Sequence, residues 1–167
     1  MRRLLIIILI LFSIKSSAFD ISINSVRTLY QKAAENKESC KKLLLMLEPY
    51  DEKKNTLFAG YKGCATMLMA KYVFNPFSKL SNFYKGRNLL ERSIVADKEN
   101  VELRFLRFAV QTQVPSFLNY RNSVTQDKNF LINNYNGITD LQLKSWLTAY
   151  LKSSGKLTAS EKLRLKV

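Results

Sequence analysis

Asn55-Thr56-Leu57-Phe58-Ala59-Gly60-Tyr61-Lys62-Gly63-Cys64-Ala65-Thr66-Met67-Leu68-Met69-Ala70-Lys71-Tyr72-Val73 reads as one helix. Leu57, Tyr61, Cys64, Leu68 and Tyr72 recur at steps of three and four, the period of a helix with a buried face. Ala59, Gly60, Gly63, Ala65 and Ala70 run along the same segment. Small side chains reduce the distance between packed helix axes, so a close neighbour is expected here.

The same period continues on both sides. Val26, Leu29, Ala33, Cys40, Leu44 and Leu47 predict one helix over 22–47, opened by Ser22 or Asn24. Lys37 occupies the one place in that series where an apolar residue is expected. Pro49 disfavours helix at Glu48 and ends it. Beyond Val73, Asn75-Pro76-Phe77-Ser78 predicts a loop, and Ser78 or Ser81 the start of a helix carrying Leu80, Phe83, Tyr84, Leu90, Ile94 and Val95 to about Asp97. Asn100 opens the next, through Val101, Phe105, Phe108, Ala109 and Val110, until Pro115 stops it. After a loop over 116–123, a short helix runs from Thr125 to Tyr135. Thr139 or Asp140 caps another, with Leu141, Leu143, Trp146, Leu147, Tyr150 and Leu151, ending at Gly155. Thr158 with Glu161 is a capping box for a last short helix. No stretch alternates as a strand would. The expectation is an all-α chain of six or seven helices, stacked as antiparallel hairpins because the connections are short.

Composition narrows what such a chain does. A length of 167 residues suits one domain, and 47% hydrophobic content supports a packed core. Five Gly and three Pro argue against most all-β folds. The chain has no His, which excludes Ser-His-Asp and Cys-His nucleophiles, HExxH zinc sites and His-ligated haem. Two Cys fall short of a four-ligand zinc site, and no Gly-rich phosphate loop is present. No metal and no cofactor is expected.

Residues 1–18 read as a secretory signal peptide. Arg2 and Arg3 precede an apolar run from Leu4 to Phe12, and Ser16 and Ala18 supply the small residues a signal peptidase reads. The run ends at Ser13 and Lys15, short of the ~20 residues a membrane span needs. Cleavage after Ala18 leaves 19–167 as a single helical domain, with 155–167 either a packed last helix or a loose tail. It also removes three basic residues, leaving 24 Lys plus Arg against 13 Asp plus Glu, a net charge of +11. The expected address is the periplasm or the medium.

Two resemblances add to this. Gly86, Leu90 and Ser93 fill the small, large and small places in the second half of a tetratricopeptide repeat, with Lys98 in place of the usual Pro. The stretch 56–106 thus resembles one degenerate unit with a longer loop around Asn75-Pro76-Phe77. The segments Ala70-Lys71-Tyr72-Val73-Phe74-Asn75-Pro76-Phe77 and Asn100-Val101-Glu102-Leu103-Arg104-Phe105-Leu106-Arg107 look like those of a family of uncharacterised exported proteins of Bacteroidota. Gln111, Val114-Pro115-Ser116-Phe117-Leu118 and Asp127-Lys128 fit the same likeness. It implies export and a helical fold, and no activity.

Cys40 and Cys64 lie equidistant from the break near Glu52, so an antiparallel pair of helices brings them to one level. An exported chain permits a disulfide between them. Helix axes ~8–10 Å apart oppose it unless the small residues allow closer approach. The alternative is two separate, buried, small apolar residues. Glu99 and Glu102 sit at a helix start, where carboxylates meet the dipole favourably. Glu102 is otherwise a buried partner of Arg104 or of nearby basic residues, or a catalytic acid for which Glu91 or Asp97 would have to supply the second carboxylate. Arg104 and Arg107 share a helix face, and Lys152, Lys156, Lys162, Arg164 and Lys166 make a basic end.

The leading expectation is a non-enzymatic binding or scaffold module for another envelope protein or peptide. Stacked helical hairpins present grooves, and the groove is expected near Tyr61, Asn75, Phe77, Arg104, Arg107 and Gln111. The second is a basic binder of anionic envelope polymers, lipid or glycan, or of a membrane surface. Nucleic acid fits neither an exported address nor any motif in the chain.

Overall fold

The computed structural model describes residues 21–165, and among them every regular element is helical. The α-helices are α1 (Ile23–Ala33), α2 (Lys37–Met46), α3 (Thr56–Tyr72), α4 (Pro76–Ala96), α5 (Val101–Gln113), α6 (Val124–Asn134), α7 (Leu141–Ser153) and α8 (Ala159–Leu165). Short 3-10 turns occur at Ser116–Leu118 and Tyr135–Gly137. The leader assigned to residues 1–18 lies outside the described residues. None of the described helices is long and apolar enough to cross a membrane.

Short polar side chains start most of these helices, because the first turn has backbone N–H groups with no partner of its own. Asn36 accepts from the N–H of Ser39 at 2.9 Å, Asn55 from Phe58 at 2.9 Å and Asp140 from Leu143 at 2.9 Å. Asn100 accepts from both Glu102 and Leu103 at 3.1 Å. The capping box is reciprocal: Glu161 N–H donates to Thr158 Oγ1, and Thr158 N–H donates to Glu161 Oε2.

Two boundaries differ from the sequence reading. The helix expected over 22–47 is two helices, which brings the number to eight. Asn36 leaves the helical conformation (φ −129°, ψ 119°) to cap α2, and Lys37 is the first residue of α2 rather than a polar gap in one long helix. The helix expected from Ser78 begins at Pro76, capped by Asn75 through the N–H groups of Phe77 and Ser78. Pro is suited to the first helical position, where its missing N–H is not needed. The link between α3 and α4 is therefore three residues long.

That short link closes an antiparallel hairpin. A Cβ placed on Gly63 would touch Gly86 O and Leu90 N, and one on Gly86 would touch Gly63 O and Met67 N. Backbone meets backbone here, as the run of small residues predicts. The α1, α2 and α5 helices pack on the same hairpin. One core gathers Val26, Leu43, Leu47, Phe58, Leu90, Leu103 and Leu106. A second gathers Phe105, Phe108, Leu131, Leu143, Leu147 and Leu151. The α5 helix stands between the two, so Glu102 through Ala109 are all buried. Trp146 borders both cores, with its ring centroid 6.0 Å from Tyr30 and 4.7 Å from Phe105. Removing a side chain such as Leu147 from water contributes about 1.5–3 kcal/mol.

Cys40 and Cys64 both lie in the first core. Both are buried and neither is bonded. They lie at one level, as their spacing implies, since Cys40 Sγ donates to the carbonyl of Ala65 at 3.3 Å. That hydrogen bond aims the Cys40 thiol at the α3 backbone, whereas Cys64 sits beside the Tyr30 hydroxyl. Burial pushes the thiols up to about 11 for Cys40 and about 12 for Cys64, so both stay protonated.

Asp140 provides a pH test of one cap. The Leu143 N–H, and then Arg27, hold its carboxyl below the usual value of 3.8. A lowered carboxyl contributes stability above the unfolded value and loses it as pH falls through the folded one. Asp140→Asn keeps a capping side chain but removes the charge. The stability difference between wild type and Asp140→Asn, from urea unfolding, should be full at pH 6 and shrink steadily below about pH 4. A difference that grows on acidification contradicts the assignment.

Candidate functional site

Two buried polar networks take up Glu91, Glu102, Arg104, Arg107 and Asp127. In the first, Arg27 on α1 grips Glu102 on α5. Its Nε donates to Oε1 at 2.7 Å and its Nη2 to Oε2 at 2.6 Å. The Tyr61 hydroxyl donates to the same Oε1. Arg27 Nη1 reaches Asp140 at 2.8 Å and Gln142 at 3.0 Å. Burial disfavours the guanidinium charge, but Glu102 and Asp140 outweigh it and raise the Arg27 pKa above its ordinary value. Burial, reinforced by Glu102, likewise pushes the Tyr61 hydroxyl far up, so it remains a donor.

In the second network, Asp127 at the start of α6 holds two arginines of α5. Arg104 Nε donates to Oδ1 at 2.5 Å, while Arg107 donates Nε to Oδ2 at 2.7 Å and Nη2 to Oδ1 at 2.8 Å. Arg107 Nη1 continues to Glu91 on α4 at 2.7 Å, and the Tyr120 hydroxyl donates to the other Glu91 oxygen. Arg104 also stacks over Phe130, 4.6 Å from the ring centroid. Gln111 Oε1 accepts from the N–H of Ser123, just before α6.

These networks are closed. No buried side-chain N or O atom among the described residues lacks a partner. The carboxylates weighed above as catalytic acids have partners: Glu102 in Arg27 and Tyr61, Glu91 in Arg107 and Tyr120. Asp97 accepts from Asn100 Nδ2 at 2.9 Å. The arrangement locks α1, α4 and α6 onto α5.

Of the six residues expected to line a groove, four are therefore in the interior. Tyr61, Arg104, Arg107 and Gln111 are buried because α5 runs through the middle of the fold, so its polar positions meet neighbouring helices and not solvent. Asn75 and Phe77 are at the surface. The sequence reading missed Arg27, whose partner Glu102 is 75 residues away. It met Asp127 only through a resemblance, although a carboxylate in the first turn of α6 is itself a local signal.

The surface opens elsewhere. A cleft of about 470 Å³ lies between α3, the first turns of α4 and the end of α5. Leu80 and Phe117 stand at its edge. Nearby along the chain, at the closed end of the α3–α4 hairpin, Phe74 is 97% exposed and Phe77 83%. Phe117 is 78% exposed. Exposed aromatics of this size are the usual anchors of contact surfaces. The hairpin's own sequence here is basic. Between Glu52 and Glu91 the chain has no acidic residue in 38 positions and has seven basic ones, including Lys71, Lys79 and Lys85.

No protein-family model, no curated protein and no solved structure matches the chain.

Proposed function

We propose that this chain is an exported, non-enzymatic binding or scaffold module that engages another protein or peptide of the cell envelope. Its contact surface includes the closed end of the α3–α4 hairpin and the exposed Phe117 turn. The partner segment is apolar with acidic flanks. The observation that carries this reading is the presence of exposed Phe74, Phe77 and Phe117 beside a stretch, 53–90, that has seven basic residues and no acidic one. Aromatic anchors in a charged rim are the usual make-up of a protein contact. The resemblance to exported helical proteins supports the address.

The seven basic residues between Glu52 and Glu91 also favour the second reading, an electrostatic binder of anionic envelope polymers or of a membrane surface. One experiment separates the two. A photo-crosslinking phenylalanine replaces Phe77, and in a control the same group replaces Lys162. Each protein is irradiated in its own envelope extract at low salt and at about 1 M salt, where charges are screened beyond ~3 Å. The expected result is one discrete protein adduct from position 77, retained at high salt and lost in Phe117→Asp. Adducts that disappear with salt, or that form equally from position 162, overturn the protein-partner reading.

A further inference from the structure

The cleft beside this surface has a polarity of its own. Its floor is made by Cys64, Met67 and Phe83, all buried, with Tyr30 beside them. Its walls are aliphatic, among them Leu68 and Val110. The charged groups in its lining are two lysines, Lys71 and Lys79, both exposed and so at the rim. They are not equivalent. The Lys71 ammonium donates to the carbonyl of Ala34 at 2.8 Å and lies against the Tyr72 ring. Lys79 makes no ion pair or side-chain hydrogen bond among the described residues.

We propose that this cleft binds a single-chain anionic amphiphile of the fatty-acid type, with its tail on the Cys64–Phe83 floor and its carboxylate at Lys79. The volume falls in the range of small-molecule sites, which are mostly apolar with a few polar groups that fix orientation. An apolar floor accepts a hydrocarbon tail without stripping water from a charge. The two polar groups on that floor, the Cys64 thiol and the Tyr30 hydroxyl, are held protonated by burial. The rim then selects the head: a cation is available, and no carboxylate lines the cleft to repel an anion. A cationic head would meet two lysines and a neutral head would gain nothing from them. The proposal does not require a protein partner: Phe74 and Phe77 lie outside the cleft lining, and Phe117, which the two surfaces share, stands at the cleft edge away from the floor and Lys79 that the tests address.

Calorimetric titration of the purified protein with dodecanoate, kept below its micelle concentration, tests this. Dodecanol and dodecyltrimethylammonium are the neutral and cationic comparisons, and anionic vesicles without free amphiphile form a fourth arm. The expected result is one saturable dodecanoate site with a shift in Trp146 emission, because Trp146 touches Tyr30. Lys79→Glu, a surface change that leaves folding intact, should weaken dodecanoate about tenfold by turning attraction into repulsion, and leave dodecanol unchanged. Ala70→Phe puts a ring into the cleft and should abolish binding of both. Absence of saturable dodecanoate binding overturns the proposal. So does equal affinity for the cationic analogue, response to vesicles alone, or unchanged binding in a natively folded Ala70→Phe.

Discussion

Asp127→Ala is expected to lower the unfolding free energy by about 3–5 kcal/mol, the cost of leaving buried charges without their partner. Asp127 is fully buried and supplies both oxygens to Arg104 and Arg107, whose side chains are 10% and 8% exposed. Removing it leaves two guanidinium groups face to face, with only the half-exposed Glu91 near Arg107. It also takes a carboxylate from the first turn of α6, where the helix dipole favours one. Asp127→Asn keeps the volume and one acceptor oxygen but not the charge, so its loss should fall between zero and that of alanine. Glu38→Gln is the control. Its pair with Lys41 is an exposed i,i+3 contact, which is worth at most about 0.5 kcal/mol. Urea unfolding followed by circular dichroism measures all three. If Asp127→Ala loses less than about 1 kcal/mol, the arginines reach solvent by swinging past Glu91, and the network does not fix α6 to α5.

The contrast between Asp127 and the helix caps explains what the sequence made legible. Asn55, Asn100 and Thr158 act on N–H groups two or three residues away, so a reader of the chain sees both partners at once. Gly63 and Gly86 are nearly as legible, because a short turn folds one back on the other. The split at Asn36 had a local signal too, since Lys37 breaks the apolar series. Arg27 and Glu102 are different. Nothing around Arg27 marks it as buried, and its partner lies in another helix that periodicity cannot register against it. The same ignorance placed Tyr61, Arg104, Arg107 and Gln111 on a surface. A polar residue on an amphipathic helix faces water only if no other helix covers that side, and α5 is covered on every side from Glu102 to Ala109. Asn75 and Phe77 were legible as surface because Asn75-Pro76-Phe77-Ser78 reads as a loop, although the helix in fact begins at Pro76. The cleft was not, since α3, α4 and the end of α5 each contribute only part of its wall.

Gly86→Ala is expected to cost about 3 kcal/mol, while Gly60→Ala, which looks as crowded, is expected to cost less than about 1 kcal/mol. An added Cβ on Gly86 would lie 2.3 Å from Gly63 O and 2.7 Å from Met67 N. Both are backbone atoms of α3, so relief requires the two helices to separate along their contact. On Gly60 the nearest atom is Leu103 Cδ2 at 2.2 Å, the end of a side chain that can change rotamer. Alanine also gains about 1 kcal/mol over glycine within a helix, which offsets that smaller clash. At ~2–4 °C per kcal/mol for a chain of this size, Gly86→Ala should melt about 6–12 °C lower, and Gly60→Ala within a few degrees of wild type. Gly137→Ala, with nothing within 4 Å of the new atom, calibrates the scale. Equal melting of Gly86→Ala and Gly60→Ala would mean that side-chain repacking, not backbone contact, sets the α3–α4 distance. The same substitution reaches the cleft. Met67 is both the residue that a Gly86 Cβ would strike and part of the cleft floor. A change in helix spacing at Gly86 must therefore alter the shape that an apolar tail would meet.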